Sequence, residues 1–242
     1  MLRLAATIGL ATAAALGAVT AYANSVNATL SATYFEVCDS CNPPDFGGAG
    51  TPNLTLGSSL GPNGLPVATS PYGISDVDPT TQEITWWSPT LNIAVVQTGT
   101  GIISLPYSSN MYAPDSTGGN DGSFFETAVF AGNFTLSAPS TVEFALGSDD
   151  DSFIYVDGIL IGQNPGIHGV TNVNFTSGTL PAGANSIEVF YDDRNQTGAA
   201  LSLNLISSGV TITPAVPEPT SLLVLGAGLI GLSRIRRRKR VR

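Results

Sequence analysis

Apolar and polar residues alternate along much of the chain. ATLSATYFEV at 28–37 is the first such run, and FFETAVFAGNFTL at 124–136, NSIEVFY at 185–191 and ALSLNLI at 200–206 follow it. In the last, Leu201, Leu203 and Leu205 alternate with Ser202, Asn204 and Ile206; Ile187, Val189 and Tyr191 alternate in the same way. Period two lines one face of a strand with apolar side chains. Shorter β-type runs stand at 84–87, 91–98, 101–107, 141–147, 152–158 and 170–176. Asp157-Gly158 lies between SFIYV and ILIG and supplies the positive φ values of a two-residue hairpin turn. No segment between 24 and 215 sustains a helical period, and no internal repeat is visible. The pattern predicts an all-β fold, an antiparallel β-sandwich of jelly-roll type. Residues 42–82, rich in Pro, Gly, Asn, Ser and Thr, read as one long loop region. Trp86 and Trp87 are adjacent, so on a strand one faces the core and the other solvent.

Composition narrows the functions available. The formal net charge is −9, but seven of the nine basic residues lie between Arg234 and Arg242 and another is Arg3. All eighteen acids lie between Glu36 and Glu218, where Arg194 is the one basic residue. That body therefore carries about −17 and the two ends +8. A single arginine cannot neutralise a run of phosphates, which excludes nucleic acid as a partner. A lysine-based phosphate cradle is equally unavailable. One histidine, His168, excludes a multi-histidine zinc site and leaves little for a Ser-His-Asp machine. An anionic body does suit a divalent cation held by oxygen ligands.

The two ends read as addresses. Residues 1–23 have the form of a secretory signal peptide: Arg3, an apolar stretch, and Ala21-Tyr22-Ala23 as an A-x-A cleavage site. At the other end an apolar run precedes the basic tail 234–242. From Thr220 to Ile235 it reaches sixteen residues, short of the roughly twenty of a comfortable membrane span. Pro217-Glu218-Pro219, the short apolar helix expected at 221–233 and the arginine-rich tail together resemble a PEP-CTERM sorting signal. The resemblance implies processing by an exosortase and transient insertion in the inner membrane through 221–233. It further implies release or attachment at the surface of a bacterium that makes exopolysaccharide. The expected organisation is signal peptide 1–23, β-sandwich 24–213 and sorting signal 214–242.

Four segments occur in a telling order. They are GSDDDSFIYVDG at 147–158, GIHG at 166–169, LPAG at 180–183 and IEVFYDDR at 187–194. With Pro44-Asp45-Phe46 and 110–114 upstream, they resemble the fibro-slime branch of the protective-antigen (PA-14) family, over roughly residues 28–208. The resemblance implies a β-sandwich which, in yeast adhesin members, binds sugars through Ca²⁺. There an Asp-Asp pair joined by a cis peptide grips the ion and a later loop completes its shell. Carried over, the pair is Asp149 and Asp150, and the later loop supplies Asp193 and Asn195, with main-chain oxygens near Asn195 and Thr197. Asp149, Asp150 and Arg194 are the expected ligand-binding residues. The residues argue partly alike, because three adjacent carboxylates repel unless a cation or solvent intervenes. The other reading is a solvated turn capped by its own aspartates.

The remaining motifs carry less. Cys38 and Cys41 are the whole cysteine inventory, and in an exported chain a local disulfide is the default. His168, between glycines, reads as a loop hydrogen-bonder, and Arg194, among carboxylates, also suits an ion pair. Asp76-Val77-Asp78 to Glu83 lacks the glycine and the terminal Glu spacing of an EF-hand. No separated acid–base pair stands out, so an enzyme is not expected. The sequence thus predicts an exported, exosortase-sorted module, binding exopolysaccharide or a cell-surface glycan through Ca²⁺. The competing reading is a purely structural matrix protein.

Overall fold

The longest alternating run forms the spine of the molecule. In this computed structural model, which describes residues 28–48, 54–69, 74–114 and 122–215, it becomes strand β6 (Phe124–Leu136). Before it come β1 (Ala28–Cys38), β2 (Leu56–Leu60), β3 (Pro66–Ala68), β4 (Val95–Leu105) and β5 (Tyr107–Asn110). After it come β7 (Glu143–Asp149), β8 (Asp151–Val156), β9 (Ile159–Asn164) and β10 (Thr171–Thr176). Strands β11 (Gly183–Asp192), β12 (Ala200–Leu205) and β13 (Ile212–Pro214) complete the order. The larger sheet runs β3-β2-β9-β8-β11-β6-β1-β4, with β13 also paired to β6, and the smaller runs β10-β7-β12-β5. Every ladder between these strands is antiparallel. The expected all-β antiparallel sandwich is the observed one. The signal segment and the sorting helix fall outside the described residues.

Between the sheets lies a core of alternating residues. Leu30, Phe130, Phe134, Ile187 and Val189 from the larger sheet meet Phe144, Leu146, Leu201 and Leu203 from the smaller. Strand β8 departs from alternation, and all six of its residues are buried. Ile154 and Val156 face the inter-sheet core, while Phe153 and Tyr155 face a second one on the sheet's other side. A strand covered on both faces carries a continuous apolar run, which is why SFIYV shows no period. The Asp157-Gly158 turn joining β8 to β9 has φ values of 49° and 72°, as a tight primed hairpin turn requires.

The second core corrects two sequence expectations. Residues 42–82 are not one loop. They contribute β2, β3 and the buried Phe46, Leu54, Leu65 and Ile74, which pack on the outer face of the larger sheet. Trp86 and Trp87 sit in a turn rather than a strand, and both are buried. A turn does not impose alternating faces, so the two rings lie at 5.5 Å and share this core. The runs at 91–98 and 101–107 merge largely into the single strand β4. Buried carboxylates hold the segment in place. Asp45 accepts hydrogen bonds from the Ser75 and Asp76 N–H groups and from Trp86 Nε1. Glu83 accepts from the N–H groups of Asn63 and Leu65 and from the Asn63 amide. Cys38 and Cys41 are disulfide-bonded across the 3-10 turn that ends β1.

Candidate cation and ligand site

Strand register brings the acidic segments together. On the larger sheet β8 pairs with β11 so that Asp151 lies opposite Asp192. On the smaller sheet Ala200, just after the second acidic loop, lies opposite Asp149. The chain crosses from one sheet to the other at Asp149–Asp150, and a cis peptide bond joins the two residues. Residues 149–151 and 192–198 therefore meet at one end of the sandwich, with the loop 165–170 beside them.

A cavity of about 410 Å³ opens there. Asp149 and Asp150 form one wall, Asn195, Thr197 and Gly198 a second, and Ile167, His168 and Gly169 the third. Asp150 clamps all three together. Its Oδ1 accepts the His168 N–H at 2.8 Å and its Oδ2 the Arg194 N–H at 2.9 Å. Asp151 acts one layer deeper, accepting the Gly166 N–H and the Arg194 Nε–H, the latter at 2.7 Å. The Tyr191 hydroxyl donates to the Asp149 carbonyl at 2.7 Å, and the Tyr112 hydroxyl accepts the Gly198 N–H at 3.0 Å. Gly198 has φ +97°, and a Cβ there would stand 2.5 Å from Asp149 Oδ2. Only glycine lets this backbone lie against the carboxylate.

The electrostatics are those of crowded anions. Burial, reinforced by the neighbouring Asp150 charge, pushes the Asp149 carboxyl up to about 7. Burial also raises Asp150, against the pull of the Arg194 and His168 N–H groups. Asp192, fully buried, is raised well above the usual carboxylate range by burial and by Asp151. Burial works against the charge of Arg194, but Asp151 and Asp192 outweigh it and keep the guanidinium protonated. Crowded, desolvated carboxylates favour whatever supplies positive charge, a proton or a metal ion.

The expected site residues divide into two groups. Asp149, Asp150 and Asn195 share the cavity wall. Asp193 and Arg194 lie behind it, both fully buried. Asp193 Oδ1 accepts the Asn195 N–H at 3.2 Å and so shapes the loop. The Arg194 side chain turns inward, pairs with Asp151 at 2.7 Å and Asp192 at 3.5 Å, and lies 4.9 Å from the Trp86 ring. Arg194 is not among the residues that line the cavity, and its fully buried guanidinium faces Asp151, Asp192 and the Trp86 indole instead. Its main-chain N–H donates to Asp150 on the cavity wall. The segment GIHG at 166–169, which entered only as part of the family resemblance, contributes the third wall.

Among the described residues no three His, Cys, Asp or Glu side chains converge as a metal cluster. The residues at the cavity that could hold a hard cation are the carboxylates Asp149 and Asp150 and the Asn195 amide. Asp76, Asp78 and Glu83 form no such site. Asp78 caps its own turn through the Thr80 and Thr81 N–H groups, and Glu83 is taken up by Asn63 and Leu65.

Comparison with known proteins adds the C-terminal address. Residues 215–239 match the family model of the PEP-CTERM protein-sorting motif, which marks an exported, sorted protein. No curated protein matches the sequence. Among solved structures, the chain is similar to a PA14 sugar-binding domain from an RTX adhesin, at 15% identity and TM-score 0.37 over 78% of this chain and 95% of that one. It is also similar to the epithelial adhesin 9 A domain from Candida glabrata in complex with Galβ1-4GlcNAc, at 11% identity and TM-score 0.33, covering 81% and 85%. A GH31 α-xylosidase from Xanthomonas citri matches at 17% identity and TM-score 0.35 over 50% of this chain, which spans 13% of the enzyme's length.

Proposed function

We propose that the sandwich is a cation-dependent glycan-binding module of an exported protein, working on exopolysaccharide or another cell-surface glycan after exosortase processing. The observation that carries this reading is the convergence of Asp149, Asp150 and Asn195 on one open cavity lined also by Thr197 and Gly198. With Ca²⁺ bound by these residues, the ion supplies positive charge that a neutral polyol can share through its hydroxyl oxygens. The ligand class follows from charge. A body near −17, with its one arginine buried, repels acidic polymers and has no free cation for phosphate or sulfate. The likeness of residues 147–194 to fibro-slime and PA-14 sequences points the same way. The sorting motif at 215–239 places the module outside the cytoplasm. No step of bond cleavage is invoked, and the module is read as a binder.

One observation favours a second reading. Asp150 already ties the loops at 168 and 194 to the β7–β8 crossing. A cation beside it would stiffen all three, as in a purely structural matrix protein. A glycan array probed with excess calcium and again with EDTA separates the readings. Binding to neutral sugars that EDTA abolishes is the expected result. Silence on every sugar, together with a calcium-induced rise in melting temperature, would leave the structural reading.

A further inference from the structure

The edges of the two sheets are unequal. Among the described residues the larger sheet ends at β3 and β4, and the smaller at β10 and β5. Strands β3, β5 and β10 hold three, four and six residues, and short edges resist pairing with another chain. Strand β4 holds eleven, VVQTGTGIISL, with no charge and no proline to guard it. Its register shifts opposite Tyr34 and Phe35, and beyond that point Gly99–Leu105 runs in regular register with β1. Thr100, Ile102 and Ser104 are exposed there, while Ile103 and Leu105 face the inter-sheet core. Leu91, Ile93, Val96 and Ile102 are four of the eight large apolar side chains exposed among the described residues. From Ile84 to Pro114 the chain carries no charged side chain, although the body around it holds all eighteen acids. The adjoining part of β1 is uncharged from Ala28 to Phe35, and its Glu36 lies opposite Val96, outside the 99–105 segment.

We propose that β4 is an association edge for a second copy of this chain, with Gly99–Leu105 pairing antiparallel with the same segment about a two-fold axis at Ile102. Charge decides the occupant. Two bodies of about −17 repel wherever their acids meet. A two-fold contact at β4 instead lays an uncharged edge on itself. That edge holds no charge for an oppositely charged partner to recognise. It offers main-chain groups and apolar side chains, which an identical strand complements. Ile102 then meets its own counterpart, and Thr100 of each copy lies opposite Ser104 of the other. The pair closes on itself, because each copy uses its one long edge among the described residues. The inference does not depend on what the cavity binds.

Sedimentation velocity of the wild-type protein, Ile102→Lys and Ile102→Val across a range of concentrations tests the proposal. A contact of this size is weak, so the wild type should be dimeric at about 100 μM and monomeric at about 1 μM. Ile102→Lys sets two like charges face to face and should weaken the dimer about tenfold, whereas Ile102→Val should associate as the wild type does. Melting temperatures should agree, because the side chain is exposed. Ile102→Cys keeps the test open if the lysine variant fails to fold. Both native cysteines are in the disulfide, so the new thiol is the one available to oxidise. Mild oxidation should join it to its counterpart in a covalent dimer. Asn174→Cys, exposed on the smaller sheet, is the control for random collision and should stay monomeric. A wild type monomeric at the highest concentration would overturn the proposal, as would equal cross-linking at both positions. Ile102→Lys associating as tightly as the wild type would also overturn it, since another part of the chain would then hold the copies together.

Discussion

Two hydrophobic cores flank the larger sheet, and they are held in different ways. The inter-sheet core is made by strands facing strands, with Leu30, Phe130 and Val189 opposite Phe144, Leu201 and Leu203. Ladders satisfy the backbone there, so packing alone has to be matched. The outer core is built largely from turns and short strands between residues 42 and 95, around Phe46, Trp86, Trp87, Phe153 and Phe190. Turns leave backbone groups unsatisfied, and buried acids answer for them: Asp45 for Ser75 and Asp76, Glu83 for Asn63 and Leu65. A core assembled from loops depends on a few polar anchors, whereas one assembled from strands spreads its stability over many apolar contacts. The candidate site lies at the seam. Arg194 stacks near Trp86 of the outer core, pairs with Asp151 and Asp192 at the strand ends, and offers its N–H to Asp150 on the cavity wall.

The severest way to break this contrast is to remove that seam residue. Arg194→Ala leaves Asp151 and Asp192 buried without their guanidinium. Stripping one partner from a buried ion network costs about 3–5 kcal/mol. Urea denaturation measures it, and a loss below about 1 kcal/mol would mean that Arg194 does not join the two cores.

A smaller and more local effect is expected at Asp45. Asp45→Ala abandons three donors, one of them the Trp86 indole, and costs about 2 kcal/mol by the usual worth of hydrogen bonds to a charged acceptor. Hydrogen exchange should rise mainly in residues 74–88 and leave β6, β7 and β12 protected. Uniform acceleration through both sheets would show that the outer core has no stability of its own to lose.

How much of this was legible in the chain follows the same division. Alternation located long strands that turn one face to the core: 28–37 became β1 and 124–136 became β6. The outer core was not legible, because its apolar residues are spaced by turns and carry no period. Trp86-Trp87 looked like a half-exposed strand pair and proved to be a buried turn. At the site, the adjacent carboxylates Asp149 and Asp150 stood out in the sequence, while Asn195 entered only through the family resemblance. The inward turn of Arg194 did not, since its carboxylate partners Asp151 and Asp192 become neighbours only through the β8–β11 register. His168 was visible as a loop hydrogen-bonder, and its N–H and Nδ1 do serve the loops.

The mildest probe of the outer core is pH. Burial, and next the Asp45 charge, push the Asp76 carboxyl from 3.8 up to about 6. The folded state therefore takes up this proton more readily than the unfolded chain. Its stabilising contribution is complete below about pH 4 and lost as pH rises through 6. Asp76→Asn removes the penalty of ionisation. The variant should melt higher than wild type at pH 8, by one to a few degrees, and the gap should narrow toward pH 4.5. A gap that widened on acidification would have the wrong sign for this account.

The central claim is that one divalent cation sits in the cavity between the crossing of the two sheets and the 195–198 loop. A crystal structure of the protein grown in millimolar calcium tests it most directly. The account predicts one ion with oxygens of Asp149, Asp150 and Asn195 and main-chain oxygen from the 195–198 loop at about 2.3–2.6 Å, and Arg194 still buried behind it. A cavity holding only water at that calcium concentration, or an ion bound elsewhere, would contradict it.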